Sequence, residues 1–312
     1  MHQRLIILFV FITICFVAGL LFQRRYTSIS QPLSAFLGKF TLLAVIPYTI
    51  FSSIWQLPKI ETQLLFLPLV GLGVILFAGF IGLMAVKLKS LEPRQAGALV
   101  SVTGFYNLGA LGNLCAFFIF GESGVALVAL YKLCEELVYF AGLYPYARRC
   151  SEENFTAGKR SFFSDPIFLA AISAILLGLG FNLSGIPRPE ILGDINQYVI
   201  PAGSLLMVFS VGLTFNLRGG DRWKKLAIQV SFTRACLSPI IAVVLISLLG
   251  LWSVYDGLVA KVCILLSVMP TGFTSTLPTV LYRLDCDLAN TFWFHSYMAF
   301  FIAFPVAVVF LA

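Results

Sequence analysis

Charge is scarce in this chain. Only 11% of its 312 residues are Asp, Glu, Lys or Arg, against about 25% in an ordinary soluble domain. Histidine is scarcer still: His2 and His295 are the only two, and they are far apart in sequence. That gives no basis for expecting a histidine metal centre. Seven cysteines are present, but none is spaced as C-x-x-C. The thiolate patterns of zinc sites and redox pairs are therefore missing, and the cysteines read as small buried apolar residues. No G-x-x-x-x-G-K-[ST] loop occurs, so a built-in ATPase is not expected. The segment Gly121–Gly124, "GESG", lacks the spacing of a nucleophile elbow.

What the chain has instead is apolar length, with 59% hydrophobic residues. Runs of the length a bilayer requires, roughly 18 residues or more, predict ten spans. They fall near 5–22, 35–54, 64–86, 98–120, 124–146, 166–184, 197–217, 226–250, 258–281 and 291–311. Little sequence is left over, so an all-α polytopic membrane protein is expected, without a soluble domain.

The net charge of +7 is carried mostly by short loops, where it sets topology. Arg4, Lys59 and Arg188 fall on one side of the predicted membrane. Fourteen basic residues, among them Arg24, Arg25, Arg148, Arg149, Lys224 and Lys225, fall on the other. The positive-inside rule puts the fourteen in the cytoplasm and both termini outside. Arg4 alone precedes the first apolar run, while Arg24 and Arg25 follow it. That polarity fits an uncleaved helix better than a signal peptide.

The longest polar loop, residues 147–165, is expected in the cytoplasm. It separates a first five-helix repeat (1–146) from a second (166–312). Five is odd, so two halves sharing one fold must insert with opposite orientation. This is the inverted-repeat plan of many secondary transporters. The tripeptide Val-Ile-Pro recurs at Val45–Pro47 and Val199–Pro201. Pro47 precedes Leu114 by 67 positions, and Pro201 precedes Pro270 by 69.

Spans 4 and 9 thus correspond, and both carry helix-disfavouring residues. Span 4 contains Asn107, Gly109, Gly112 and Asn113; span 9 contains Pro270, Thr271, Gly272, Thr274, Ser275 and Pro278. Pro47, Pro201 and Pro270 are candidate helix breaks. An interrupted helix exposes unpaired backbone groups, and a membrane tolerates these only where protein or a wet cavity satisfies them. Two breaks near the midplane would form a substrate site suited to a carboxylate. Asn107, Asn113, Thr271, Thr274 and Ser275 would add uncharged hydrogen bonds. Close helix packing is the competing explanation for the span 4 glycines.

Several of these segments resemble the auxin efflux carrier family. "NLGALGNL" (Asn107–Leu114) followed by "FGESG" (Phe120–Gly124) is similar in order and spacing to that family's N-x-G-F-x-G-x-P and F-G-E-x-G. "FTLLAVIPYTIFSSI" (Phe40–Ile54) resembles its proline-bearing second span, and "MPTGFTSTLPTVLYRLDCDLAN" (Met269–Asn290) its ninth. The chain departs from the pattern with Leu108, Ala110 and, in place of the crossover proline, Leu114. The resemblance implies a bacterial-type secondary carrier of small organic anions in the inner membrane, with spans 4 and 9 crossed at the site. A sodium-coupled symporter of the bile acid type is the alternative. A membrane-embedded sensor or enzyme has thinner support.

Six charged residues fall within the predicted spans: Lys39 and Lys261 close to the starts of spans 2 and 9, Lys132, Glu135 and Glu136 in the middle of span 5, and Arg234 in span 8. The spacing predicts a Lys132–Glu136 pair at i,i+4, with Glu135 able to share the lysine. Such a group is either a structural ion pair or a proton carrier. Arg234 could pair with a carboxylate, attract an anionic substrate or snorkel. The expected partners are a small carboxylate-type substrate, the lipid bilayer, and a proton or sodium ion for coupling. A homodimer is left open. No cofactor, metal or nucleic acid is expected.

Overall fold

The structure is a computed structural model and describes residues 2–58, 61–151, 166–215 and 221–311. Among these residues there are helices and no strand. In the first half of the chain come α1 (His2–Arg25), α2 (Thr27–Phe40), α3 (Ile46–Trp55), α4 (Leu67–Lys89), α5 (Pro93–Gly104), α6 (Asn113–Tyr131), α7 (Glu135–Val138) and α8 (Tyr144–Arg149). In the second come α9 (Pro166–Leu183), α10 (Glu190–Gly212), α11 (Lys224–Leu248), α12 (Leu258–Ser267), α13 (Leu277–Leu281) and α14 (Cys286–Leu311).

Eight helical stretches among the described residues are long and apolar enough to cross a membrane. The expected spans 98–120 and 124–146 fall together in one 42-residue stretch, Pro93–Cys134. That is about twice what a bilayer needs, and it is interrupted at 105–107 and turned at Gly121. The expected span 258–281 is divided into α12 and α13, each too short to cross alone. Large apolar side chains such as Leu176, Ile240 and Val309 stand exposed. Water would penalise such a surface, whereas hydrocarbon accepts it. The chain is an integral membrane protein.

The helices form two compact units, and each unit draws on both halves of the sequence. Unit 1 comprises Met1–Leu64, Leu108–Leu130 and Phe163–Phe215; unit 2 comprises Leu65–Asn107, Tyr131–Phe162 and Asn216–Ala312. Most of the expected connecting loop, 152–165, lies outside the described residues.

In unit 1, α1 packs against α10 with backbones in contact. A methyl group built on Gly212 would lie 2.5 Å from the Phe16 carbonyl oxygen and 3.0 Å from Gly19 Cα. Gly121 has φ +68° and ψ −158°, a conformation open essentially to glycine alone. It turns the chain into Glu122, whose carboxylate accepts hydrogen bonds from Arg188 Nη1 and Asn196 Nδ2, both at 2.5 Å. Arg188 also donates to the Ser52 hydroxyl at 3.2 Å. The segment resembling F-G-E-x-G thus fixes the loop before α10 to α3.

Two of the expected proline breaks take other forms. A π-helical turn, Thr41–Val45, carries α2 into α3, with Pro47 in the first turn of α3. Pro201 lies inside α10, which runs unbroken from Glu190 to Gly212. A proline removes one backbone donor and can bend a helix without ending it. In unit 2, α5, α11 and α14 meet around Leu99, Val102, Ala227, Leu288 and Phe292. A reciprocal cap starts α5: the Glu92 amide donates to Gln95 Oε1 at 3.1 Å, and the Glu92 side chain accepts from the α5 backbone.

Candidate functional site

The site is built where two helices of unit 2 stop. α5 ends at Gly104, and Phe105 is extended, with φ −95° and ψ 136°. α12 ends at Ser267, and the chain runs through Pro270 to a short 3-10 turn, Phe273–Thr276. The two irregular stretches touch through their backbones. The Asn107 amide donates to the Pro270 carbonyl at 2.8 Å. A methyl group on Gly272 would lie 3.0 Å from the Tyr106 carbonyl oxygen, so any larger residue would crowd this approach.

The interruption in the first stretch lies ahead of the glycines expected to cause it. Gly109 and Gly112 sit in a π-helical turn, Leu108–Gly112, that passes directly into α6. Gly104 and the extended Phe105 make the break instead. Wide π-turn geometry leaves the Gly109 carbonyl available to Asn113, whose Nδ2 donates to it at 2.8 Å. Gly109, Gly112 and Asn113 belong to unit 1, and Asn107 to unit 2.

Orphan carbonyls at the end of α5 find side-chain donors. Thr271 Oγ1 donates to the Val102 carbonyl at 2.9 Å and accepts from Arg234 Nη1 at 2.5 Å. Arg234 Nη2 donates to the carbonyls of Phe105 at 3.0 Å and Met269 at 3.4 Å. Its guanidinium carbon lies 3.7 Å from the centre of the Tyr106 ring, a cation–π contact. Arg234 is only 3% exposed. It neither snorkels nor pairs with a carboxylate among the described residues, and one guanidinium ties both interruptions together.

Around this core, Asn107 Nδ2 donates to the Tyr297 hydroxyl at 2.8 Å, and the Thr271 amide donates to Ser296 Oγ at 3.2 Å. The hydroxyls of Tyr106 and Ser238 bond at 2.7 Å. Ser275 is fully buried, and its hydroxyl has no hydrogen-bond partner among the described residues. The Thr274 and Glu136 side chains lie outside the described residues. His295 Nδ1 lies 2.8 Å from the Thr291 carbonyl, one turn back in α14.

The charges of span 5 are linked to the crossing. Lys132 Nζ lies 3.9 Å from Glu135 Oε2. The described pair is therefore i,i+3, because residues 132–134 form a 3-10 turn in which position i+3 eclipses i. Tyr139 donates its hydroxyl hydrogen to Glu135 Oε1. The same hydroxyl oxygen accepts from the Tyr106 amide at 3.4 Å, and the Tyr139 ring stacks on Phe105 at 3.5 Å.

Sequence reasoning passed over Tyr106, Tyr139, Ser238, Ser296 and Tyr297. Tyr106 could have been found as the neighbour of Asn107. The other four lie on other segments, and no local pattern marks them.

No family model matches the chain. It is 26% identical over 271 residues to a protein of Methanothermobacter thermautotrophicus named an uncharacterized transporter, with 86% of each chain covered. It is 28% identical over 277 residues to an uncharacterized transporter of Methanocaldococcus jannaschii, again with 86% of each chain covered.

Proposed function

We propose that the chain is a secondary carrier of small organic anions, carboxylates foremost, working by alternating access. The backbone contact between two interrupted helices, Asn107 N to Pro270 O at 2.8 Å, carries this proposal. Interrupted helices in a membrane protein are costly unless their freed groups do something, and carriers place their substrates at such points. The names of the two archaeal relatives favour transport.

The choice of an anion follows from the resemblance to the auxin efflux carriers, since Lys132 has Glu135 beside it and the Arg234 guanidinium is taken up by the oxygens at the two helix ends. Asn107, Thr271 and Ser275 are the proposed uncharged ligand groups, and Glu135 the proposed proton carrier. The resemblance to auxin efflux carriers and a ten-span inverted repeat belong to the same proposal. So do a bacterial inner membrane and outward-facing termini.

The experiment has two parts. Purified protein is screened for thermal stabilisation by mono- and dicarboxylates, since a ligand at about 100 times its Kd adds about 2.7 kcal/mol to stability. The best ligand is then followed into proteoliposomes. Asn107→Ala is expected to lower its uptake while expressing normally; unchanged uptake refutes the site.

A further inference from the structure

Half-helix C-termini and unwound carbonyls are the groups with which secondary carriers usually hold a coupling cation. Both kinds meet at this crossing. α5 and α12 each end there, and each brings the partial negative charge of a helix C-terminus, about half an elementary charge. Their oxygens are already occupied. Phe105 O, Met269 O and Thr271 Oγ1 accept from the Arg234 guanidinium at 3.0, 3.4 and 2.5 Å. The Tyr106 ring covers one face of the group at 3.7 Å.

These acceptors, two carbonyls and a hydroxyl, are the ligand types a hard monovalent cation takes. Two helix ends of about −0.5 together balance one positive charge. The guanidinium is tethered to α11, so it cannot be released at either side of the membrane.

We propose that Arg234 is a built-in substitute for a coupling cation, and that the protein binds no sodium at its helix crossing. The functional consequence, sodium-independent transport, rests on the carrier proposal above; the binding geometry does not. It speaks against the sodium-coupled one of the two carrier classes that the sequence left open. A merely structural arginine would predict lost stability on removal. A cation substitute predicts more: its removal uncovers an oxygen-lined site that accepts a small cation from solution.

The test is thermal unfolding of the purified protein in about 100 mM sodium chloride or choline chloride, matched for ionic strength, without added anion. Wild type is expected to melt identically in the two salts. Arg234→Ala is expected to melt lower in choline and to recover in sodium, or with about 10 mM guanidinium chloride, a concentration far below denaturing levels. Urea at the same concentration serves as the control.

A sodium-dependent rise in wild type overturns the proposal, as does an Arg234→Ala protein indifferent to both sodium and guanidinium. Should Arg234→Ala fail to fold, Arg234→Lys retains a resident charge and must stay indifferent to sodium; a sodium response in that variant overturns the proposal. In proteoliposomes, wild-type uptake of the stabilising carboxylate is expected to differ by less than about twofold between the salts, because no ion linkage acts on it. If wild type takes up no carboxylate in either salt, the carrier proposal fails, while the melting curves still decide on the cation substitute.

Discussion

Gly272→Ala is the smallest change that probes the crossing. The added methyl would lie 3.0 Å from the Tyr106 carbonyl oxygen, 3.4 Å from the Tyr106 carbonyl carbon and 3.6 Å from the Asn107 nitrogen. All three are main-chain atoms, so no rotamer change relieves the crowding. The two stretches must separate by some tenths of an ångström, and the Asn107–Pro270 hydrogen bond lengthens with them. Overpacking of this kind costs about 1–3 kcal/mol, and a weakened buried hydrogen bond up to about 1 kcal/mol more. The melting temperature is expected to fall by several degrees, at a few degrees per kcal/mol. Gly79→Ala in α4 is the control, since a methyl there meets nothing within 4 Å. It is expected to be neutral, or to stabilise by up to about 1 kcal/mol through helix propensity. Thermal unfolding of both variants in detergent is the assay. Equal melting temperatures for Gly272→Ala and Gly79→Ala would refute the close backbone approach.

Three further outcomes are expected. Tyr297→Phe removes the acceptor of the Asn107 amide, 2.8 Å away, but keeps the ring that packs on Trp293. Losing one neutral hydrogen bond, about 1 kcal/mol, should weaken carboxylate binding about fivefold; unchanged binding argues that Asn107 is not positioned by Tyr297. Glu122→Gln and Arg188→Met should couple in a double-mutant thermal cycle by about 1–3 kcal/mol, because the pair is mostly buried at 2.5 Å, and strict additivity would count against it. Burial pushes the Cys150 thiol above its ordinary range, and a hydrogen bond with Tyr146 offsets part of that rise. Thiolate is the reactive form, so maleimide labelling of Cys150 should be slow near neutral pH and speed up as pH rises. Labelling should come only from the cytoplasmic side, and labelling from outside would reverse the topology.

Much of this was legible in the sequence. Apolar runs separated by short basic loops announce a polytopic membrane protein, because hydrocarbon admits only helices that satisfy their own backbones. The clusters of Gly, Asn and Pro in spans 4 and 9 marked where helices stop, since those residues weaken or end them. The detail was less legible. Gly109 and Gly112 looked like the break, yet they lie in a π turn while Phe105 makes the interruption. Pro201 looked like a break, yet α10 passes through it. In each case the local signal was real, and the surrounding packing decided how the backbone absorbed it.

The division of labour has a physical cause. By itself the sequence determined the solvent, the helical class and the neighbourhoods of the interruptions, all of which follow from transfer energies and backbone propensities within a few consecutive residues. Tertiary structure alone decided that Arg234 meets Phe105 and Thr271, 129 and 37 positions away, and that Glu122 meets Arg188 across 66. A buried charge must find oxygen atoms wherever the fold supplies them. The oxygens that take Arg234 are backbone carbonyls and a hydroxyl, whose availability no residue pattern records: they become acceptors only because two helices end at the same place.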